Sequence, residues 1–292
     1  MPTIRELKRR ITVVKSTTKI TNALQLVAAS KMRRAQDRAL QSRPYAEKLR
    51  LVLAGLASAA SGDDEARHPL LEARPVKNIG VLHITPNRGL CGGLNSNLNR
   101  SAGTFVATAE ESAFIVAVGR KGRDFFVRAR AQVIAEFTDM GDYPTQAETS
   151  AISRVIMQDY LAGTIDRVYL SYAQFVSTAN QRPTIRQILP IAAPTMDSPE
   201  DAEEFRAGYI FEPSPAVVLE RLLPRYIEMQ IYAAVLESAA SEQSARMVAM
   251  KNATDNALEI QRDLTLTYNK ARQEQITTEL LDIVGGAAAL ED

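Results

Sequence analysis

The segment that decides the fold is the C-terminal stretch SPAVVLERLLPRYIEMQIYAAVLESAASEQSARMVAMKNATDNALEIQRDLTLTYNKARQEQITTELLDIVGGAAA, Ser214–Ala289. Up to Val284 it contains no glycine, and its prolines, Pro215 and Pro224, lie near its start. A serine followed by proline is typical of a helix start, because the hydroxyl caps free amides and proline presets the first helical φ. Gly285-Gly286 stands where a C-terminal cap would end the helix. The segment predicts one very long helix, roughly 90 Å after Pro224 alone, with Pro224 as the place for a bend.

A helix of this length needs a partner, because most helices of globular domains run only about 8 to 20 residues. A membrane span is excluded, since charges such as Arg246, Asp255 and Arg262 recur throughout. An alanine-rich stripe, typical of a coiled coil with a closely approaching partner, recurs at spacings of 3, 4 or 7 residues: Met247, Met250, Ala253, Ala257, Ile260, Leu264 and Ala271.

The N-terminal segment is the predicted partner. Thr3-Ile4-Arg5-Glu6 is a capping box, and neither glycine nor proline follows before Arg43. We expect this helix to reach Ala57, with a bend before Pro44. Its apolar residues also step by 3 and 4 residues, first in Ile4, Leu7, Ile11 and Val14, then in Ile20, Leu24, Val27 and Ala28.

The two ends of the chain carry opposite charge. Thr3–Arg50 has thirteen Lys or Arg against three Asp or Glu, a net charge of +10, whereas Ser214–Asp292 has seven against twelve, a net charge of −5. Opposite charge favours pairing of the two helices. The sequence therefore predicts an antiparallel coiled coil of the first and last helices.

The chain between the long helices has the alternating pattern of a small Rossmann-like parallel α/β domain. Strands are predicted at Val76–Thr85, Ala113–Val118, Ala131–Phe137, Arg167–Val176 and Thr184–Pro190, the last two as a hairpin on the sheet edge. Helices are predicted at Asn95–Ala109, Lys121–Arg128 and Thr145–Leu161. The predicted domains are an N-terminal coiled-coil helix at 1–58, a linker at 59–75, the α/β domain at 76–207 and a C-terminal coiled-coil helix at 208–292.

No catalytic constellation is visible. The two histidines, His68 and His83, have no metal-ligand spacing, and we expect His83 to be a core residue of its strand. The stretch Thr85–Asn95, TPNRGLCGGLN, follows a strand and opens a helix, where α/β folds hold phosphate. Its glycines do not form Gly-x-Gly-x-x-Gly, so we interpret it as a tight turn that packs helix against sheet.

Bulk properties exclude other classes. A net charge of +1 does not indicate binding to nucleic acid. The single cysteine, Cys91, cannot form an intrachain disulfide, fits a reducing compartment and is expected to be a packing residue. No signal peptide or 18-residue apolar run is seen, so we expect no direct membrane insertion, and we expect no cofactor. The basic cluster Lys31-Met32-Arg33-Arg34 lies on a helix paired along another face, which indicates an acidic partner.

Together these features resemble the gamma subunit of F-type ATP synthases over essentially the whole chain. Lys19–Arg33 looks like that family's first helix, and Arg88–Asn95 matches its glycine-rich loop. Its last helix is matched by Ser241–Asn256 and Tyr268–Gln273, and its C-terminal signature by Ile276–Glu279 with Asp282, Gly286 and Ala287. Four motifs in the right order make the resemblance specific.

The resemblance implies a non-catalytic rotor subunit. In that family the paired helices form a shaft within a ring of alternating alpha and beta subunits, and the α/β domain lies near the epsilon subunit and the membrane c-ring. Rotation driven by protons, or in some members by sodium ions, makes each beta active site change conformation in turn. The implied location is the cytoplasmic face of a bacterial cell membrane, as a peripheral part of the complex, since no transit peptide is seen.

The resemblance also implies which residues contact other subunits. Contacts with the beta subunits are expected from Lys31, Met32, Arg33, Arg272, Gln273, Thr277 and Glu279. The foot on the membrane ring is expected at Tyr209, Phe211 and Glu212. With Cys91 alone, the redox switch that photosynthetic relatives form from an inserted cysteine pair is impossible.

Two other functions stay open at this point. A nucleotide- or anion-binding α/β protein with a helical arm would need a ligand at Gly89–Gly93. A freestanding coiled-coil scaffold would self-associate through its long helices.

Overall fold

The structure, a computed structural model, describes residues 3–59, 68–192, 212 and 214–291. Helix α1 spans Ile4–Ala59 and is followed by β1 (Asn78–Ile84), α2 (Leu94–Thr108), β2 (Ser112–Val118), α3 (Arg120–Arg128), β3 (Gln132–Phe137), α4 (Gln146–Leu161), β4 (Arg167–Phe175), β5 (Gln181–Leu189) and α5 (Pro215–Glu291). Every strand and helix that the sequence predicts is present, with ends that differ by a few residues.

Both long helices begin at the predicted caps. The Thr3 amide donates to the Glu6 carboxylate (3.0 Å), and the Glu6 amide donates to the Thr3 hydroxyl (3.3 Å). The Ser214 hydroxyl accepts from the Val217 amide (3.4 Å). The predicted cap at Gly285-Gly286 is wrong, because α5 runs on to Glu291. A glycine weakens a helix by only about 1 kcal/mol and does not end it without a partner for the freed carbonyls.

The chain divides into two compact units. Met1–Ala28 and Met247–Asp292 form one, here called the helix-pair unit, and Ala29–Arg246 forms the other, here called the α/β unit. Each long helix contributes to both units, and Pro44 and Pro224 lie inside the helices. The domain boundaries predicted from the sequence stay a prediction.

In the helix-pair unit, buried and half-buried side chains recur at steps of three and four residues on both helices, as in a coiled coil. On α1 this seam consists of Ile4, Leu7, Ile11, Val14, Thr18, Thr21, Gln25 and Ala28. On α5 it consists of Met247, Met250, Thr254, Ala257, Gln261, Leu264, Tyr268 and Ala271. Part of the predicted stripe is wrong: Ile20, Val27 and Ile260 are exposed, because the three-four alternation continues through the polar residues Thr18, Thr21 and Gln261.

The limits of the seam show that the two helices run antiparallel. The hydroxyl oxygens of Thr21 and Thr254 lie 2.7 Å apart. From that point an antiparallel pairing places Ile4, the first residue of α1, opposite Ala271, which is the last half-buried residue before the exposed stretch Arg272–Val284. A parallel pairing would place Ile4 opposite residue 237, which lies outside this unit. The predicted antiparallel coiled coil is therefore present.

The α/β unit contains one five-stranded sheet with the order β3-β2-β1-β4-β5. β1 pairs in parallel with β2 and with β4, and β2 pairs in parallel with β3. β5 is antiparallel to β4, which confirms the predicted edge hairpin. The strand order reverses at β1, so the carboxyl ends of β1 and β4 flank the crevice where open α/β sheets bind ligands.

Two cores cover the two faces of this sheet, because side chains alternate along each strand. One core joins the sheet to α2 and α3 and contains Ile79, Val81, Ala102, Ile115, Ala117 and Phe126. The larger core contains Leu82 and Val116 of the sheet, Ile152 and Tyr160 of α4, Leu53 of α1, and Leu223 and Ile227 of α5. The long helices are thus part of the sheet's own core in this unit.

Candidate functional site

The glycine-rich loop between β1 and α2 packs against helix α5. The guanidinium of Arg246 donates to the carbonyl oxygen of Gly89 (3.2 Å) and to the Glu242 carboxylate (2.6 Å). Cys91 is buried with Leu94, Leu98, Ala173 and Ala245. Burial raises the pKa of the Cys91 thiol, and the nearby Arg246 charge offsets this in part. The loop therefore serves as a packing turn, as predicted, and Cys91 is not an activated nucleophile.

The second place for phosphate in such a fold, the start of helix α3, is occupied by the chain itself. The Arg120 amide donates to the Asn87 side chain (3.0 Å), the Lys121 amide to the Pro86 carbonyl (3.3 Å) and the Gly122 amide to the Thr85 hydroxyl (2.8 Å). Gly119 has φ of 92°, and a Cβ there would lie 1.9 Å from the Thr85 carbonyl oxygen. The amides that would bind an anion are already paired.

His83 is a buried, neutral core residue. Its Nε2 lies 3.0 Å from Oδ1 of Asn99, whose amide nitrogen donates to the Lys121 carbonyl. Since Oδ1 can only accept, Nε2 carries the proton, and Nδ1 accepts from the Ser171 hydroxyl (3.0 Å). Burial lowers the pKa of His83 to about 4, against a smaller opposing effect of the Asn99 hydrogen bond. The predicted core role of His83 is confirmed.

A polar cleft of about 360 Å³ lies at the carboxyl ends of β1, β2 and β3. Charged side chains of both signs line it: Arg88, Arg120, Asp139, Asp142 and Glu242. Burial raises the pKa of the Glu242 carboxyl, and the ion pair with Arg246 opposes that rise. Within the described ranges, no group of three His, Cys, Asp or Glu could hold a metal ion.

Helix α5 is fixed to the end of β4 by three serines that no motif of the sequence indicates. The Ser238 hydroxyl accepts from the Ala173 amide (3.2 Å), and the Ser241 hydroxyl donates to the Ala173 carbonyl (3.0 Å). The Ser244 hydroxyl donates to the Thr178 carbonyl (2.7 Å). The only signal in the sequence is their spacing of three residues within an alanine-rich stretch, which lets a strand approach closely.

The end of α5 beyond the seam is an exposed helix surface. All side chains from Arg272 to Val284 are exposed. Hydrogen bonds of this stretch stay within the helix, such as Gln275 to Glu279 (2.8 Å) and the Thr277 hydroxyl to the Gln273 carbonyl (2.9 Å). Large apolar side chains are interspersed: Ile276, Leu280, Leu281, Ile283 and Val284. The structure thus brings the predicted contact residues Arg272, Gln273, Thr277 and Glu279 together on one free helix end.

The basic cluster of α1 is divided by its contacts. Lys31 Nζ lies 2.6 Å from Oδ2 of Asp142, in the loop between β3 and α4. Met32 is half-buried, and Arg33 is exposed. The Lys31 ammonium, mainly through its hydrogen bond, lowers the pKa of the Asp142 carboxyl. No feature of the sequence indicated Asp142 as the partner.

The predicted foot is described only in part. Tyr209 and Phe211 lie outside the described residues, and Glu212 is exposed. None of the helices in the described part of the chain is both long and apolar enough to cross a membrane.

Comparisons with known proteins agree on one family. The sequence matches the ATP synthase family over residues 3–290. It is 56% identical to the ATP synthase gamma chain of Dehalococcoides mccartyi, over 99% of this chain and all of the relative. It is 49% identical to the gamma chain of Roseiflexus castenholzii, over the full length of both. The fold is similar to a rotor chain of the Euglena gracilis mitochondrial ATP synthase, with a TM-score of 0.62, 19% identity, and coverage of 94% of this chain and 98% of that chain.

Proposed function

The chain belongs to the ATP synthase gamma-chain family, and from this premise we propose that it is the central-stalk rotor subunit of an F-type ATP synthase. In this role it couples ion-driven rotation of the membrane ring to conformational cycling of the beta catalytic sites. The nucleotide- or anion-binding alternative is not favoured, because the amides at the start of α3 are paired with Thr85–Asn87 and the glycine-rich loop packs against α5 through Arg246.

The observation that carries this proposal is the exposed end of α5, from Arg272 to Val284. Five large apolar side chains of this stretch are solvent-accessible, in the part of α5 that extends beyond the seam with α1. A free soluble protein rarely exposes such a surface, so we infer that it is covered by other subunits. Polar residues between the apolar ones limit adhesion, which suits a shaft that must turn past several similar surfaces.

The paired helices have the stiffness that a rotor needs. In the helix-pair unit the seam continues without a break from Ile4 to Ala28 and from Met247 to Ala271. Backbone hydrogen bonds within each helix and side-chain packing between them resist bending together. Torque applied to one part of such a pair is transmitted along it.

We propose that the chain itself carries no catalytic residue. His83 is neutral and buried, and Cys91 is buried with a raised pKa. Neither therefore supports general-base or nucleophilic chemistry.

The expected partners are the alpha and beta subunits, the epsilon subunit and the c-ring, at the cytoplasmic face of a bacterial cell membrane. We propose beta-subunit contacts for Arg272, Gln273, Thr277 and Glu279 on the exposed end of α5, and for Lys31, Met32 and Arg33 on α1. We propose Tyr209, Phe211 and Glu212 as the foot on the ring. Arg33 and Glu212 are exposed, as such contacts require.

The test is ATP hydrolysis by matched alpha and beta subunits with and without this chain. We expect a stable assembly and sustained hydrolysis only when the chain is present. A chain ending at Ala271 should assemble less well or turn over more slowly, because it lacks the exposed end. Arg272→Ala should lower turnover, whereas Arg100→Ala, on the exposed surface of α2, should not. Equal hydrolysis with and without the chain would refute the proposal.

A further inference from the structure

We propose that the loop Thr138–Pro144, between β3 and α4, is a clasp that fixes the rotational position of α1 on the α/β unit, with Lys31 as its anchor. The proposal rests on the central-stalk function and deepens it, because it assigns a positioning role inside the chain to residues of the stalk helix. Such a role competes with the contact to a beta subunit expected of Lys31.

Side chains from three successive turns of α1 contact two residues of the loop, Asp142 and Tyr143. Lys31 pairs with Asp142 at 2.6 Å, and the Arg34 guanidinium donates to the Tyr143 hydroxyl at 3.2 Å. The guanidinium carbons of Arg34 and Arg38 lie 5.9 and 5.0 Å from the centre of the Tyr143 ring. Residues 31, 34 and 38 lie on one face of a helix, so these contacts join the loop to a single face of α1.

The clasp is itself held at both ends. The Asn87 side chain donates to the Met140 carbonyl (3.1 Å), and the Gly119 amide donates to the Phe137 carbonyl (2.9 Å), where the loop leaves β3. On the other side, Thr145 and Glu148 form a capping box that begins α4. A loop tied in this way can resist a force on α1 rather than follow it.

Between Lys31 and Ala46, helix α1 has only a small packing surface of its own. The buried or half-buried side chains of this stretch are Met32, Ala35, Gln36, Ala39, Ser42 and Ala46. The large side chains of Leu49, Leu53 and Leu56 enter the core only farther along the helix. Small side chains bury little area and interlock weakly, so they specify the rotation of a helix poorly. Helix α5 differs, because Ser238, Ser241 and Ser244 bond it directly to the backbone at the end of β4 and just beyond it.

The clasp therefore acts on the transmission of torque rather than on folding. Its ion pair is partly exposed, with side-chain exposures of 27% for Lys31 and 39% for Asp142. Ion pairs of this kind contribute little to stability, so variants of the clasp should fold. What they should lose is the fixed angle between α1 and the sheet.

The test uses the whole ATP synthase in proteoliposomes and measures the ratio of ATP-driven proton pumping to ATP hydrolysis. Lys31→Asp and Asp142→Lys should each lower this ratio about twofold to fivefold, the factor that a partly exposed ion pair supports. The double variant K31D/D142K should restore it in part, because the pair is rebuilt with its charges exchanged while Arg88 and Arg246 repel the new lysine. Asp139→Lys, the same change at another exposed carboxylate of the loop, should leave the ratio unchanged.

The outcomes separate the clasp from the proposed function. If the wild-type chain does not couple pumping to hydrolysis, the central-stalk function fails, and the clasp with it. If it couples and the single charge reversals have no effect, the clasp is refuted. If Lys31→Asp is harmful and the double variant is no better, the clasp is also refuted, and Lys31 must meet another subunit.

A second measurement uses the isolated full-length chain and does not depend on the complex. Hydrogen exchange of the α1 backbone amides between residues 29 and 42 should be faster in Asp142→Asn than in wild type, because that segment loses its restraint. Asp139→Asn is the matched control and should exchange as wild type does. Equal exchange in the two variants would contradict the clasp.

Discussion

The two compact units use the same two helices in different ways. In the α/β unit, side chains of α5 such as Ile227, Ile231 and Ser241 are fully buried and surrounded by the sheet and other helices. In the helix-pair unit, the most buried side chains of α5, Met250 and Ala257, remain 6% and 7% exposed, and only one narrow seam is covered. One helix can thus be a core element in one part and a two-helix stalk in another, because its neighbours decide how many of its faces are covered.

The largest difference in stability is expected between two Ile→Ala variants of α5, one in each unit. Ile231→Ala should lower the free energy of unfolding by about 2–5 kcal/mol, because Ile231 is 0% exposed and its loss leaves a cavity. Ile260→Ala should change it by less than about 0.5 kcal/mol, because Ile260 is 51% exposed. Urea unfolding followed by far-ultraviolet circular dichroism reports on the helices of both units. Equal losses in both variants would contradict the comparison.

Acid should weaken the α/β unit selectively. His83 has a pKa of about 4 when folded and 6.5 as its ordinary value, so the unfolded chain binds more protons between these values. The contribution of His83 to the free energy of unfolding is complete above pH 6.5. As the pH falls towards 4 this contribution is lost, which lowers the free energy of unfolding by about 3 kcal/mol at most. Unfolding measured from pH 7 to pH 4 should show this slope, and His83→Gln should flatten it. A slope unchanged in the variant would assign the effect to other groups.

A smaller effect is expected from the serines that bind α5 to β4. Ser238→Ala should cost about 1–3 kcal/mol, because the Ala173 amide loses its acceptor in a buried place. The matched change Ser16→Ala removes an exposed hydroxyl of α1 that bonds only to the Thr12 carbonyl of its own helix. It should leave stability within about 0.5 kcal/mol of wild type in the same urea measurement. If Ser16→Ala lowers the free energy of unfolding as much as Ser238→Ala does, the hydrogen bond of Ser238 does not specifically hold α5 on β4.

The smallest effect on stability is expected from the exposed end of α5. A chain ending at Ala271 should unfold within about 0.5 kcal/mol of the full-length chain, because no side chain from Arg272 to Val284 is buried. A chain ending at Asp263 should melt at lower temperature, since it also lacks Leu264, Tyr268 and Ala271 of the seam. Far-ultraviolet circular dichroism on heating measures both. Strong destabilisation by the shorter deletion would show that the end has a partner within the chain.

Local patterns were sufficient to predict the elements of the fold. The absence of breakers predicted the two long helices, and alternation with turn residues predicted the strands and their hairpin. The capping residues Thr3, Glu6 and Ser214 fixed the helix starts, because a cap acts within one turn. The predicted end of α5 at Gly285-Gly286 is wrong, because two glycines end a helix only if the chain then turns.

Contacts between distant residues were harder to predict. Thr21 and Thr254 lie in the seam, although their polar side chains did not indicate it. The apolar residues Ile20 and Val27, which the pattern predicts there, are exposed. Lys31 and Asp142 are 111 residues apart, and an exposed charge has no periodicity that would indicate its partner. The packing role of the glycine loop was predictable, since its motif lacks the spacing for phosphate, but the contact with Arg246 was not. The proposed subunit contacts stay predictions.

The burial of Cys91 makes the chain convenient for site-specific labelling. Cys91 is 1% exposed, and its thiol is disfavoured as a thiolate, so maleimide reagents should leave the folded chain unmodified. A cysteine introduced at an exposed position, such as Arg100 on α2, would then be the sole reactive thiol without removal of the native one. A fluorophore or bead attached there would report the angular position of the α/β unit in a working complex.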